Sequence, residues 1–386
     1  MKRIIGICLA VLVMMTMAFS IAALASEDNQ ETSEEKDYAR LIQEIPEDAD
    51  VETAIKIEKR NNKHITAMQV LFDADSLKAY NKACSTMKKE GTMEAVQAAV
   101  EARNNLIQVE SVEERIWFIW GEDNMPCVDG EDFTEEDLDG SQMFGYGYEP
   151  IAIKYLVEDQ SQCKGNIIAC SGGAMKVWSN NAEGYPAAGV FNDLGYNFFL
   201  LQRRVEPYSE MDIFMDFQRL VRVVKYNARQ EGWGGQDMYA GLGWSGGCRT
   251  LFGAVNYCYG DITPADFDSD YVPDEIDAVN SDLDAALALY GYEFDTEALN
   301  KNLPAFYICA GTIDATVDPQ NSRDLYDWLV ENGYDAELNM IEGADHGYGV
   351  GLAPATGQAP GTDEWPVHAD EFMQAHLDYQ EQHYEK

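Results

Sequence analysis

The clearest chemical pattern in this chain is a serine flanked by glycines. The pentapeptide Gly243-Trp-Ser-Gly-Gly247 has the form G-x-S-x-G; it follows the apolar run 238–242 and precedes helix-forming residues that include Leu251. A serine on a sharp turn from strand to helix is presented to substrate, and the glycines leave room for the strand and helix to pack beside it. The pattern predicts that Ser245 is a nucleophile. The alternative is an ordinary glycine turn.

A serine nucleophile needs a base to take its proton and a carboxylate to orient that base. Of the five histidines, His346 has the position expected of a catalytic base, because it lies in the short loop Gly343-Ala-Asp-His-Gly347, just after the apolar run 337–341. We therefore predict that His346 is the base, the alternative being a structural loop histidine. The other four histidines are not expected to be catalytic. His64 precedes the strand-rich region, and three lie on a predicted polar C-terminal helix, namely His368, His376 and His383.

The carboxylate expected to orient His346 is Asp314. It follows the apolar run 305–311 within Gly311-Thr-Ile-Asp314, a position just past the end of a predicted strand. Asp318 is expected to cap the next helix instead. Asp345 adjoins His346 and is expected to point elsewhere. The resulting chain order of Ser, Asp and His is one in which hydrolytic triads occur.

Acyl transfer from such a serine passes through an oxyanion that backbone N–H groups must stabilise. The apolar run 166–170 leads into the Gly-rich turn Ser171-Gly-Gly-Ala174. We expect Gly172 or Gly173 to supply one N–H group, and Gly246, the residue after the nucleophile, to supply another.

These residues need a scaffold that brings distant turns together. A strand is predicted at 115–120, and a helix over 211–230 from apolar residues at helical spacing. Short apolar runs alternating with helical segments predict an α/β fold, with a mostly parallel sheet covered by helices on both faces. Its active site should lie at the carboxyl ends of the strands. The seven runs are 151–157, 166–170, 197–205, 238–242, 285–290, 305–311 and 337–341.

The first residues predict export. Lys2 and Arg3 precede a long apolar run that ends in Ala23-Leu-Ala25, a signal-peptidase pattern, so residues 1–25 are interpreted as a signal peptide and the protein as secreted. The alternative is an uncleaved membrane anchor. Residues 26–48 are predicted to be an acidic linker, 49–110 a helical N-terminal region and 111–386 the catalytic domain.

The charge composition limits the classes of molecule that this protein is expected to bind. The chain carries 68 Asp and Glu against 27 Lys and Arg, a formal net charge of −41. Such a surface disfavours nucleic acid, phosphorylated molecules and anionic lipid, and it favours neutral or cationic partners. No metal is expected. Five aspartates between Asp266 and Asp277 match positions of a calcium loop, but Tyr271 replaces the required glycine and Asp277 the bidentate glutamate.

Over about residues 150–350 the chain resembles the α/β-hydrolase family, in particular its secreted esterases similar to acetyl xylan esterases and feruloyl-esterase-like domains. The resemblance implies the α/β-hydrolase fold, a triad of Ser245, Asp314 and His346, and N–H groups of Gly172, Gly173 and Gly246 around the oxyanion. The chain has Ser171-Gly-Gly-Ala where that branch often has Pro-Gly-Gly-Gly, and Ser245-Gly-Gly-Cys where it often has Ser-Ala-Gly-Gly. The segments that carry the resemblance are Cys170-Ser-Gly-Gly, Leu200-Leu-Gln-Arg-Arg-Val205, 243–247, Gly311-Thr-Ile-Asp314 and Asp345-His-Gly347.

The leading hypothesis is a secreted serine carboxylic-ester hydrolase, acting on a neutral polysaccharide or a small ester without a cofactor. A prolyl-oligopeptidase-like serine peptidase is the second. The third is a non-catalytic, envelope-associated binding protein with a degenerate hydrolase fold. No membrane partner is expected unless the signal segment is retained as an anchor.

Overall fold

The computed structural model describes residues 42–121, 124–128, 150–297, 300–351 and 359–384. The predicted signal peptide, most of the acidic linker and most of the loop between 121 and 149 lie outside these residues. The chain divides into two compact units between Arg115 and Ile116. Among the described residues, no helix has the length and apolar character needed to span a membrane.

The first unit is helical, as the sequence predicts. Three side chains cap its longer helices, because Asp50, Asp73 and Thr92 each accept a hydrogen bond from the N–H three residues ahead. Gly91 ends the second helix with a left-handed φ of 65°, a conformation that glycine adopts without strain. The helices are α1 Val51–Ala67, α2 Ala74–Glu90, α3 Met93–Asn104 and the short α4 Val112–Arg115.

A buried carboxylate links the three longer helices of this unit. Glu58 on α1 is wholly buried, and its Oε1 accepts a hydrogen bond of 2.9 Å from the Tyr80 hydroxyl on α2. The Arg103 guanidinium on α3 lies 3.2 Å from the same oxygen, and Asn61 donates to Oε2 at 3.3 Å. Burial raises the pKa of Glu58, and the adjacent Arg103 offsets part of that rise.

The second unit is built on an eight-stranded sheet ordered β1-β2-β4-β3-β5-β6-β7-β8. Neighbouring strands are parallel except that β2 is antiparallel to both β1 and β4, and this arrangement is that of the α/β-hydrolase fold. Every strand predicted from the sequence is present, with ends shifted by a few residues. The strands are β1 Ile116–Phe118, β2 Ile151–Tyr155, β3 Gly165–Cys170, β4 Tyr196–Gln202, β5 Tyr239–Trp244, β6 Ala285–Leu289, β7 Ala305–Gly311 and β8 Ala336–Ile341.

Helices cover both faces of the sheet. Phe199 of β4 belongs to a buried cluster with side chains of α6, α7 and α8, whereas its neighbour Phe198 stacks on Phe191 of α5, which in turn contacts Trp365 of α9. Successive side chains of a strand point to opposite faces, so the two groups of helices lie on opposite sides. The helices are α5 Gly184–Asp193, α6 Glu210–Glu231, α7 Gly246–Tyr257, α8 Gln320–Glu331, α9 Trp365–Ala375 and α10 Tyr379–His383.

Two of the aspartates that match a calcium loop, Asp274 and Asp277, bind protein side chains. Arg219 donates to Asp274 Oδ1 at 2.9 Å and to Asp277 Oδ1 at 3.1 Å, and the Tyr271 hydroxyl donates to Asp277 Oδ2 at 2.7 Å. Within the part of the chain that the structure describes, no group of three His, Cys, Asp or Glu side chains is arranged to hold a metal ion. Tyr271, which breaks the calcium-loop pattern, therefore completes an ionic cluster around the buried Arg219.

Candidate active site

Ser245 lies on the turn between β5 and α7 in a strained conformation. Its φ of 49° and ψ of −118° place a residue with a Cβ in the positive-φ region, which costs free energy and persists only where neighbouring structure enforces it. Its N–H donates to the Leu289 carbonyl at 2.9 Å, and its own carbonyl accepts from Cys248 N–H at 2.9 Å. These bonds hold the turn so that Oγ projects from the end of the sheet.

Gly247 allows this turn to form. A Cβ at Gly247 would overlap the carbonyl oxygen of Cys170 at the end of β3. The first turn of α7 therefore approaches β3 as closely as backbone atoms permit. This contact brings Ser245 beside the loop that follows β3.

The three residues predicted as a triad form one hydrogen-bonded array. His346 Nε2 lies 3.0 Å from Ser245 Oγ, and His346 Nδ1 lies 2.7 Å from Asp314 Oδ2. Ser245 and Asp314 are buried, whereas 17% of the His346 side chain is exposed, so the imidazole is the most accessible of the three groups. The geometry is that of a hydroxyl, a base and an orienting carboxylate.

Asp314 is fixed by the backbone that follows it. Its Oδ1 accepts from the N–H groups of Thr316 at 2.9 Å and Val317 at 2.8 Å, which leaves Oδ2 for the imidazole. The two rejected carboxylates have other partners. Asp318 Oδ1 accepts from the N–H of the first residue of α8 at 2.9 Å, and Asp345 Oδ1 accepts from Ala315 N–H at 2.9 Å.

The loop of residues 171–175, between β3 and α5, lies against the turn that carries Ser245, the predicted nucleophile. A Cβ added to Gly246 would come 2.8 Å from the backbone nitrogen of Ala174, so glycine rather than alanine is required after the serine. Gly172 N–H donates to the buried carboxylate of Glu183 at 2.6 Å. Of the two alternatives that the sequence left open for the loop donor, this bond favours Gly173, whose N–H has no acceptor among the described residues.

Two residues beside this array carried no recognisable signal in the sequence. Glu183 precedes α5, and its Oε1 accepts a hydrogen bond of 2.9 Å from the hydroxyl of Tyr290, which follows β6. The Tyr290 ring lies edge-on to the His346 ring with centroids 4.8 Å apart. Burial raises the pKa of Glu183 to about 7, although Gly172, Tyr290 and His346 all favour its charged form.

The remaining histidines have local roles. His64 is buried within α1, and His368 is exposed on α9. His376 Nδ1 lies 2.7 Å from the Phe372 carbonyl, and His383 stacks on the ring of Tyr379. The single polar C-terminal helix expected from the sequence is two helices, because Asp378 adopts a left-handed conformation between α9 and α10.

Comparisons with known proteins found solved structures that are similar to part of this chain. The chain is similar to the structure of an acetyl ester-xyloside bifunctional hydrolase from Caldicellulosiruptor lactoaceticus, at 18% identity and a TM-score of 0.49, over 63% of this chain and 93% of that one. It is also similar to a thermophilic esterase from Thermogutta terrifontis, at 19% identity and a TM-score of 0.47, over 58% and 86% of the two chains. No protein-family model and no curated protein matches. Identities and TM-scores this low support no conclusion about the chain, and the chemistry proposed below depends on the site itself.

Proposed function

We propose that this protein is a serine hydrolase that cleaves carboxylic esters. The observation that carries the proposal is the continuous array from Ser245 Oγ through the His346 ring to Asp314 Oδ2, with distances of 3.0 and 2.7 Å. Each atom lies within the reach that proton transfer and orientation require. The strained serine turn, which has a conformational cost, is the local feature that presents the nucleophile.

The geometry supports a two-stage reaction. Ser245 Oγ attacks the ester carbonyl while its proton passes to His346 Nε2, and the imidazolium then gives that proton to the departing alcohol. Water, deprotonated by the same nitrogen, attacks the acyl-enzyme, releases the carboxylic acid and restores the serine. Asp314 holds the tautomer with the proton on Nδ1. Because only neutral imidazole accepts a proton, activity should fall on acidification.

The developing oxyanion would be bound by backbone N–H groups at the start of α7 and in the 171–175 loop. Gly246 is the first residue of α7, so its N–H has no partner within the helix, and the positive end of the helix dipole lies there. Gly173 N–H is the second donor that we propose. We assign Gly172 a supporting role, since its N–H already serves Glu183.

We further propose a neutral ester as substrate, either a small acyl ester or an acyl group on a neutral polysaccharide. The support is electrostatic. A formal charge of −41 opposes the approach of anionic molecules at any site on this protein. The array itself needs no metal or organic cofactor for this chemistry.

Two assays test the function. A fluorophosphonate probe should label the wild-type protein once, at Ser245, and S245A should not be labelled. Hydrolysis of p-nitrophenyl acetate should exceed that of aminoacyl amides, which would instead be preferred by a peptidase of the prolyl-oligopeptidase type. Absence of both labelling and hydrolysis would favour a non-catalytic binding protein.

Export is a separate proposal that rests on residues 1–25 alone. The pattern Ala23-Leu-Ala25 followed by Ser26 supports cleavage after Ala25. Sequencing the amino terminus of the protein from its native culture should yield Ser26 as the first residue. An intact Met1 terminus in the membrane fraction would instead support an uncleaved anchor.

A further inference from the structure

A single buried carboxylate joins two sides of the candidate site. Glu183 accepts one hydrogen bond on each oxygen, from Gly172 N–H at 2.6 Å and from the Tyr290 hydroxyl at 2.9 Å. The first donor belongs to the 171–175 loop and the second to the segment after β6. Only a carboxylate offers an acceptor on both terminal atoms, since the glutamine amide replaces one of them with a donor.

The contact at Gly172 controls the position of the 171–175 loop relative to the nucleophile. A Cβ added to Gly172 would lie 3.0 Å from the Cβ of Ser245 and 3.1 Å from Glu183 Oε2. Ala174 and Met175, later in the same loop, adopt left-handed φ values of 52° and 63°. Such a loop needs external bonds to keep its shape, because these conformations are costly for residues with side chains.

The contact at Tyr290 bears on the base. Tyr290 also has a left-handed φ, of 39°, and its N–H donates to the Cys309 carbonyl at 2.7 Å. Its hydroxyl receives a further hydrogen bond of 3.3 Å from Gly349 N–H, in the loop that follows His346. The ring packs edge-on against the His346 imidazole, at 4.8 Å between centroids. Tyr290 therefore contacts the imidazole ring in addition to the two hydrogen-bond partners of that ring, Ser245 and Asp314.

Glu183 is buried without an ion pair, so its presence at this position needs an explanation. Within the described residues no cation lies within ion-pair distance of its carboxylate, although His346 and the buried Arg203 both favour its charged form. A buried carboxylate without an ion pair costs free energy. Its two hydrogen bonds go to the 171–175 loop and to the segment after β6, which both lie beside Ser245. The free-energy cost of burying this carboxylate is therefore incurred at the candidate active site.

We propose that Glu183 and Tyr290 are positioning residues for ester hydrolysis, which together fix the 171–175 loop and the His346 ring relative to Ser245. Glu183 acts on the loop through Gly172, and Tyr290 acts on the base through ring contact. This inference rests on the proposed function. Neither residue takes part in bond making or proton transfer.

The test compares E183A, E183Q and Y290F in p-nitrophenyl acetate hydrolysis, with active sites counted by a fluorophosphonate and folding followed by Tm. We expect E183A to lose about 100-fold in kcat per titrated site while KM changes by less than about threefold, as for a small misplacement of reacting groups. E183Q, which keeps one acceptor, should recover activity to within about tenfold of wild type. Y290F keeps the ring but removes the hydroxyl that bonds Glu183 and Gly349, and it should lose about tenfold in kcat per titrated site.

The matched controls are E58Q and Y80F, which alter the buried glutamate–tyrosine pair of the helical unit and should leave kcat per titrated site unchanged. Unchanged kcat per titrated site in E183A, with only Tm or the titrated fraction lowered, would overturn the proposal. If E183A is insoluble, unchanged kcat in both E183Q and Y290F would overturn it equally. Failure of the wild type to react with the probe would instead contradict the proposed function.

Discussion

The two units of the molecule each bury a glutamate that accepts a hydrogen bond from a tyrosine hydroxyl, at 2.9 Å in both. In the helical unit the other partners of Glu58 are the side chains of Arg103 and Asn61, so the carboxylate joins helices to one another. In the second unit the other partner of Glu183 is a backbone N–H beside Ser245. The same pair of residue types thus serves packing in one unit and adjoins chemistry in the other.

The difference lies in how each charge is compensated. Glu58 has a guanidinium 3.2 Å away, whereas the acceptors of Glu183 are filled by neutral donors. Burial raises the pKa of both carboxyl groups, and that of Glu183 reaches about 7. A residue that contributes only to packing has little reason to be an uncompensated acid, because a neutral side chain would cost less. Variants can therefore separate the two roles.

The largest expected effect concerns the array itself. S245A and H346A should each lower kcat by roughly 10³-fold or more, and the double variant should be little worse, because such residues act as a unit. E58Q in the helical unit should leave kcat unchanged. Steady-state kinetics on p-nitrophenyl acetate checks this, and a double variant whose loss equals the product of the single losses would contradict a shared role.

The assignment of the acid gives the next effect. D314N should lower kcat by about 10²-fold or more, since an amide that presents its NH₂ group to Nδ1 favours the wrong tautomer. D318N should leave kcat near wild type, because Asp318 bonds to the start of α8. The opposite ranking of these two variants would show that Asp314 is not the orienting carboxylate.

How far the sequence predicts this site depends on whether a residue follows a local rule. Ser245, Asp314 and His346 each follow an apolar run at a glycine-marked turn, so strand ends and chain order locate them. Glu183 follows no such rule, because the role that we propose for it depends on contact with Tyr290, 107 positions along the chain. Local patterns also predicted every strand of the sheet, whereas the partner of Gly172 N–H, the Glu183 carboxylate 11 positions later, follows no such pattern.

Stability against pH should also distinguish the two glutamates. The pKa of Glu183 is raised from 4.5 to about 7 in the folded protein, so the unfolded state releases this proton first and the folded state is progressively destabilised as pH rises from 4.5 to 7. E183Q has no ionisable group at this position and should not show this pH-dependent loss of stability. We expect the free energy of unfolding of E183Q, relative to wild type, to increase by about 3 kcal/mol between those pH values.

Urea unfolding at pH 4.5, 6 and 8 measures this change. The E58Q variant is the comparison, and its pH-dependent difference should be smaller because Arg103 offsets part of the burial of Glu58. A flat difference between E183Q and wild type across this range would mean that Glu183 titrates normally in the folded protein.

A smaller effect concerns the backbone contact between the nucleophile turn and the 171–175 loop. G246A should lower kcat by about tenfold, because the new methyl group would lie 2.8 Å from Ala174 N and displace the loop. Adding A174G, which relieves a left-handed alanine, should recover part of the loss.

G189A on α5 is the control: its Cβ meets nothing within 4 Å, so activity should be unchanged and stability should rise by about 0.5–1 kcal/mol. Equal kinetics for G246A and G189A would contradict the close approach.

The smallest expected effect concerns the exposed carboxylates. The buried ones act through their hydrogen-bond partners, whereas the exposed ones act together through the net charge of the protein. With 68 acidic against 27 basic residues, the protein repels an anionic ester, and this repulsion weakens as the Debye length shortens from about 30 Å at 0.01 M salt to about 10 Å at 0.1 M. We expect kcat/KM for an anionic ester to rise about two- to threefold over that range, while kcat/KM for p-nitrophenyl acetate stays constant. E58Q and E183Q should show the same ratio of the two salt responses as wild type, because one buried charge changes the total little. An equal salt response for both esters would show that net charge does not govern substrate approach, and the preference for neutral esters would then need a source within the site.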